Sequence, residues 1–288
     1  MSQTKSVLVL GATGMLGNAM VRVLAEDSGL SVVAAARSAD AVRRFAPDIG
    51  ARFVGGLDAE SPDRLAALIA EVQPQVVVNC IGLIKQLASG QEVLAAVPIN
   101  SLLPHRLATL CALADARLIH ISTDCVFTGE KGDYRESDRP DATDVYGLSK
   151  YLGEVRGQNA ITLRTSIIGR ELGSRNGLVE WFLGESGSVK GFAKAIFSGF
   201  PTVELARIVR DLVLPRPDLH GLYHVSAEPI TKLDLLRLVA KAYGKEIEIV
   251  PDETLVIDRS LNSDRFRAAV NYTPPAWPAL VAAMRDSG

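Results

Sequence analysis

Disulfide chemistry is the first thing this chain lacks. Its 288 residues hold three cysteines, Cys80, Cys111 and Cys125, an odd number without C-x-x-C spacing and in apolar surroundings. Such thiols are expected of a reducing, cytoplasmic compartment and read as packing residues. An excess of one charge sign is missing too. Net charge is −2, from 31 Lys+Arg against 33 Asp+Glu spread along the chain, so no long-range attraction to nucleic acid or to an anionic membrane surface is expected. Any anionic partner must be held by a local site. No window reaches the ~18 continuous apolar residues of a membrane span, because glycines interrupt the apolar stretch from Lys5 to Leu16. Low-complexity tails and internal repeats are absent. His105, His120, His220 and His224 show no H-E-x-x-H spacing, so no metal is expected and they read as structural or surface residues.

What is present is a large apolar fraction, 48%, enough to bury a core without disulfides or metal and to exclude a disordered or fibrous chain. Short apolar runs alternate with longer amphipathic stretches: Val7 to Leu10, Met15 to Ala25, Ser31 to Ala36, Ala39 to Phe45, Arg52 to Val54, Pro62 to Glu71, Gln75 to Asn79, Val93 to Ala114 and Arg117 to Ile121. That βα rhythm predicts a Rossmann-type doubly wound parallel sheet covered on both faces, with a smaller α/β substrate-binding domain at the C-terminus. A helix over Tyr146 to Arg156 and a strand over Ala160 to Leu163 extend the rhythm to about residue 168. The expected division is a cofactor domain over 1–168, with 203–226 returning to it, and a substrate lid made of 169–202 and 227–288. Residues 169–202 read as irregular, with one short helix near Leu178 to Gly184. The long apolar stretch Val93 to Ala114 suits either a homodimer interface or the core.

Val7 to Leu10 leads into Gly11-Ala12-Thr13-Gly14-Met15-Leu16-Gly17 and then a helical stretch. Gly11 permits the tight turn, Gly14 lets the backbone approach a pyrophosphate and Gly17 lets the helix pack closely, while the helix N-terminus offers N–H groups to the phosphates. The spacing is one residue longer than the commonest dinucleotide fingerprint. NAD sites place an acid at the end of the second strand. No acid lies between Asp27 and Asp40 here, and the strand ends in Arg37-Ser38, a guanidinium and hydroxyl suited to a 2′-phosphate. NADP(H) is therefore expected ahead of NAD(H). Arg43 and Arg44 read as surface residues.

Of six tyrosines only Tyr146 has a lysine four residues on, Lys150, which a helix places on the same face. The strand before it ends in Ser122-Thr123-Asp124, at the carboxyl edge where open α/β sheets bind ligands. Reducing a ketone needs a hydride on carbon and a proton on oxygen. A phenol is a poor acid–base catalyst near neutrality unless its phenolate is stabilised, which the Lys150 ammonium can do while holding the nicotinamide ribose. Thr123 can hydrogen-bond the substrate oxygen where charge develops.

These residues resemble the extended short-chain dehydrogenases/reductases, and within them the dTDP-4-dehydrorhamnose reductases. The glycine loop, Ile121-Ser122-Thr123-Asp124-Cys125-Val126-Phe127, Tyr146-Gly147-Leu148-Ser149-Lys150 continuing to Gly153-Glu154, and Arg164-Thr165-Ser166 carry the likeness. It is strong over residues 5 to 168, and thinner through Phe200 to Ala206 and Gly221 to His224. The resemblance implies Thr123, Tyr146 and Lys150 as the catalytic set, and NADPH-dependent reduction of the 4-keto group of a nucleotide-linked 6-deoxy sugar. It also implies Gly11, Thr13, Gly14, Met15, Leu16, Gly17, Arg37, Ser38, Asp58, Asn79, Cys80, Ile81 and Gly82 around the cofactor. Asp124, Cys125 and Ile167 are implied at the sugar. Cys125 stands where those reductases usually have Tyr, and Ile167 where they usually have Trp. Arg164, Arg170, Arg175 and Arg259 are candidates for the diphosphate. Two other readings stay open: an epimerase or dehydratase that retains its nicotinamide, and a non-catalytic dinucleotide-binding regulatory subunit.

Overall fold

Residues Val7 to Leu10 have no solvent exposure, as expected of a strand covered on both faces, where a continuous apolar run replaces alternation. The computed structural model describes residues 4–38, 40, 45, 49–173 and 175–288. The helix expected over Ala39 to Phe45, with Arg43 and Arg44, lies outside these residues except for Asp40 and Phe45. The elements run β1 (Lys5–Leu10), α1 (Met15–Ala25), β2 (Leu30–Ala35), β3 (Ala51–Val54), α2 (Pro62–Val72), β4 (Val76–Asn79), α3 (Val93–Ala96), α4 (Leu103–Leu113), β5 (Arg117–Thr123), α5 (Val145–Leu152) and β6 (Ala160–Thr165). There follow β7 (Ile167–Ile168), α6 (Leu178–Gly184), β8 (Ser188–Phe192), β9 (Ala195–Phe197), β10 (Phe200–Pro201), α7 (Thr202–Ile208), β11 (Gly221–His224), β12 (Ile230–Thr231), α8 (Lys232–Tyr243), β13 (Glu248–Asp252), β14 (Ile257–Asp258), α9 (Asp264–Val270) and α10 (Trp277–Asp286).

Seven strands form the main sheet in the order β11-β6-β5-β4-β1-β2-β3. β1 pairs in parallel with β2 and β4, β2 with β3, and β4 with β5. The strand order reverses beside β1, so the carboxyl ends of β1 and β4 flank the switch point where such sheets bind ligands. Leu8, Leu10, Val33, Val77 and Leu118 pack with Leu65 and Leu68 of α2 and Leu103 and Leu107 of α4.

The chain divides into two compact units, one of 1–122, 143–163 and 206–222, the other of 123–142, 164–205 and 223–288. Residues 123–142, expected with the cofactor domain, group with the second unit because they pack there. The Phe127 and Tyr134 rings stack at 4.0 Å, Leu261 joins their core, and the Tyr134 N–H donates to Ser260 O at 2.9 Å. The returning segment is correspondingly shorter than 203–226. Residues 169–202 hold more regular structure than expected. β8 pairs with β13, β9 with β12 and β14, and β10 with β7, and most of these partners lie tens of residues away, beyond the reach of local pattern.

The stretch Val93 to Ala114 is helical but not uniform. A wide π turn over Val97–Leu102 separates α3 from α4. Pro104 has no N–H to give the carbonyl four residues back, that of Asn100, and the helix widens at that point. Helix α5 ends at Leu152, short of the expected Arg156, because the chain turns at Gly153, where a Cβ would come within 1.9 Å of the Asn100 carbonyl oxygen.

Candidate functional site

The glycine loop lies at the first βα turn. Gly11 has φ +78°, and the Gly11 and Ala12 N–H groups both donate to Ala35 O at 3.1 Å, which ties the loop to the end of β2. A Cβ on Gly17 would lie 2.0 Å from the Gly11 carbonyl oxygen, whereas one on Gly14 would lie 3.4 Å from it. Gly17 is thus demanded by helix packing, while Gly14 leaves open an exposed face of the loop. Gly14 also caps α1 with no side-chain acceptor, and no acid stands in the first turn, so the helix start keeps N–H groups and positive potential for a phosphate. Thr13 and Met15 are half-buried, and Leu16 lies in the core. These features fit a dinucleotide pyrophosphate.

The end of β4 adjoins this loop. A Cβ on Gly11 would meet Ile81 Cγ1 at 3.0 Å and the Cys80 carbonyl at 3.1 Å, and the Cys80 N–H donates to Leu10 O at 3.1 Å. Asn79 turns the chain there, accepting from the Ile81 N–H at 3.1 Å while its Nδ2 donates to His120 Nδ1 at 3.1 Å. His120 is held neutral: burial first, then the charge of Lys150, pulls it well below the usual histidine range. The structure therefore joins Gly11, Asn79, Cys80 and Ile81. Arg37 and Ser38 are exposed just beyond β2, with the Arg37 carbonyl accepting from Gly56 N–H at 3.0 Å. Asp58 is exposed in the loop after β3, and its Oδ1 accepts from the Glu60 N–H at 3.0 Å.

Helix α5 carries the tyrosine and lysine. Its N-cap is Asp144, whose Oδ1 accepts from the Gly147 N–H at 2.8 Å, and Lys85 pairs with the same carboxylate at 2.6 Å. Tyr146 is half-buried in the first turn. Lys150 is 6% exposed, and its Nζ donates to Ile121 O of β5 at 2.9 Å. A Cβ on Gly82 would lie 3.8 Å from that Nζ, which links the lysine to the β4 end and hence to the glycine loop. Burial pulls Lys150 down to about 8, opposed first by the charge of Glu154. The Cys80 thiol is itself pushed up to about 12 by burial, so it stands neutral near pH 7.

Thr123 ends β5, two residues beyond Ile121. Its Oγ1 donates to Asp124 Oδ1 at 3.2 Å and accepts from the Cys125 N–H at 3.1 Å. Burial pushes the Asp124 carboxyl up, against the charge of Arg259 and hydrogen bonds from Cys125, Thr123 and Ser166. Arg259 is thus the one of four candidate arginines that acts on Asp124. Arg164 is fully buried, donates to His224 Nε2 at 3.1 Å and lies 5.2 Å over the Phe127 ring. A guanidinium so enclosed is held by these contacts within the second unit. Arg170 pairs with Glu180 of α6, and Arg175 approaches Gly184 at the end of that helix; neither has a described contact with Asp124. Ile167 is half-buried in β7, opposite Phe200 of β10.

Sequence reasoning missed Asn100, which sits 1% exposed in the π turn. Its Oδ1 accepts from the Leu83 N–H at 2.9 Å and its Nδ2 donates to Ser149 Oγ at 3.1 Å. It locks the loop after β4 to α5 beside Lys150. The signal available was a polar residue inside an apolar helix, two positions after a proline. Among the described residues no group of three His, Cys, Asp or Glu could hold a metal ion, and no helix is long and apolar enough to cross a membrane.

The chain is 29% identical over 276 residues to the "Probable low-salt glycan biosynthesis reductase Agl14" of Haloferax volcanii, covering 91% of this chain and 85% of that protein. It is also 29% identical over 262 residues to methionine adenosyltransferase 2 subunit beta of Rattus norvegicus, covering 84% and 73%. Among solved structures, the dTDP-4-dehydrorhamnose reductase of Bacillus anthracis in complex with NADP superposes with a TM-score of 0.78 at 20% identity, over 99% of this chain and 100% of that one. Residues 5–262 match the family model described as RmlD substrate binding domain, and the chain belongs to that family, within the nicotinamide-dependent extended short-chain dehydrogenases/reductases.

Proposed function

We propose that this protein reduces the 4-keto group of a nucleotide-linked 6-deoxy sugar with NADPH, using Tyr146 as proton donor. The observation that carries the reading is the buried Lys150 ammonium, bonded to Ile121 O two residues before Thr123 and set against Gly82 beside the glycine loop. Gly11, Gly14 and Gly17 would cradle the pyrophosphate, and Arg37 with Ser38 would grip a 2′-phosphate. Bound NADPH supplies the hydride. Tyr146 gives its proton to the 4-oxygen, and Lys150, one turn along the same helix, stabilises the phenolate that remains. Thr123, its hydroxyl turned from Asp124, donates to the same oxygen as charge gathers on it. Asp124, Cys125 and Ile167 shape the sugar site, and Arg259 is the arginine best placed for the diphosphate.

Tyr146→Phe is expected to lower kcat by roughly 10²–10⁴-fold with NADPH affinity kept. NADPH oxidation against a panel of nucleotide 4-keto sugars, with product configuration read by NMR, is the direct measurement. Wild-type turnover by the Phe variant would overturn the mechanism. The rat subunit relative supports a second reading, a dinucleotide-binding regulatory subunit; a stoichiometric enzyme partner recovered with no keto-sugar turnover would decide for it.

A homodimer belongs to the same proposal. α3 and the π turn pack against α5 in the first unit, and these helices leave exposed Val93 (57%), Leu94 (91%), Leu102 (45%) and Leu152 (59%). Exposed apolar side chains on elements that pack together suit a self-complementary contact. Leu94→Glu should shift the sedimentation coefficient from dimer to monomer.

A further inference from the structure

Two neighbouring residues of β5 hold one charged group on α5 and one just beyond its end. The Ile121 carbonyl accepts from Lys150 Nζ at 2.9 Å, and the Ser122 hydroxyl donates to Glu154 Oε1 at 2.9 Å. Thr123 follows immediately. The Glu154 side chain is 2% exposed, and a carboxylate so enclosed is costly unless charge and hydrogen bonds compensate it. Arg156 approaches Glu154 at 3.9 Å but is 58% exposed, a distance and exposure at which an ion pair contributes little. Gly153 lets the chain leave α5 tightly enough to seat Glu154 there, since any Cβ at that position would meet the Asn100 carbonyl.

We propose that Glu154 is a positioning residue for the reduction: anchored by Ser122, it supplies the negative charge that keeps the buried Lys150 ammonium protonated beside Tyr146. The proposal deepens the reading of Lys150 as partner of Tyr146 and rests on it. The groups that bear on Lys150 are Cys80 at the end of β4, His120 and the Ile121 carbonyl of β5, and Glu154, with Tyr146 one turn back on α5. Cys80 is a neutral thiol at working pH and His120 a neutral imidazole that itself feels Lys150. Glu154 is left as the leading charge that favours the ammonium, and burial opposes it. A buried lysine already drawn down to about 8 has little margin: without the carboxylate it would lose its proton in the neutral range, and with it the means to stabilise a phenolate.

Glu154→Gln keeps the acceptor for Ser122 and removes only the charge. In protein labelled with ¹³C at lysine Cε, the Lys150 signal, assigned by its loss in Lys150→Met, is expected to titrate at least one pH unit lower in Glu154→Gln than in wild type. That is a tenfold weaker hold on the proton. NADPH affinity should weaken at a correspondingly lower pH, and the alkaline limb of kcat should move with it. Ser122→Ala, which removes one hydrogen bond from the carboxylate, should shift Lys150 in the same direction by less, and carries the same test if Glu154→Gln is recovered unfolded. Lys150 titrating at the wild-type pH in a folded variant would overturn the proposal and leave Glu154 a structural anchor. The lysine titration needs no sugar, so absence of keto-sugar turnover by the wild type would count against the proposed reaction alone.

Discussion

Gly14 and Gly17 stand three residues apart in one loop and face opposite demands. A Cβ at 17 would lie 2.0 Å from a backbone oxygen, while one at 14 would lie at an ordinary 3.4 Å. Gly17→Ala should therefore force α1 away from the loop, costing ~1–3 kcal/mol of stability as an overpacked site does, and weaken NADPH binding with it. Gly14→Ala should leave stability within about 0.5 kcal/mol yet weaken NADPH binding at least tenfold by filling the approach to the pyrophosphate. Urea unfolding and fluorescence titration separate the two, and equal stability losses would contradict the assignment of roles. The loop was legible in the sequence because strand, glycine turn and helix are local and consecutive. Arg164 was not, since a charged side chain reads as exposed and the groups that enclose it, Phe127 and His224, come from far along the chain. Asn100 escaped for a similar reason: its partners Leu83 and Ser149 give no periodic signal.

Among the elements, α5 carries both Tyr146 and Lys150 although it is only eight residues long. So short a helix is marginal by itself and depends on its ends and its packing. Asp144 satisfies the N-terminus through Gly147, and its pair with Lys85 is one-third exposed on both sides. Such a pair contributes little beside the cap. Asp144→Ala should cost ~1 kcal/mol, and because Tyr146 lies in the first turn it should also lower kcat/KM. Asp144→Asn keeps an oxygen for Gly147 and should recover most of both, with Lys85→Ala close to wild type. A Lys85→Ala loss as large as that of Asp144→Ala would place the weight on the ion pair instead. The helix was legible from its spacing, and its end was not: what stops it at Leu152 is the approach of the Asn100 carbonyl, a tertiary contact.

Each of the two units buries one histidine, His120 in the first and His224 in the second, both without solvent exposure. His224 is drawn down to about 3 by burial and by Arg164, against hydrogen bonds to Tyr134 and Asn262, and His120 is likewise drawn well below the usual range. Both are neutral when folded and free to protonate near 6.5 when unfolded. Between those values the unfolded chain binds more protons, so stability is complete above pH 6.5 and falls as pH drops below it, for His224 down to about 3. Each histidine contributes a slope of up to ~1.4 kcal/mol per pH unit. Asp124, raised by burial, works in the opposite sense, because the folded state holds its proton at a pH where the unfolded state has released it. It is one group against two, and its span starts from the carboxylate range near 4, so the histidines prevail between pH 6.5 and 5. Thermal unfolding followed from pH 7.5 to 5 should show Tm level above 6.5 and falling below it. Because each unit carries its own histidine, both should lose stability over the same window. A Tm unchanged down to pH 5 would mean that neither imidazole is held neutral in the folded protein.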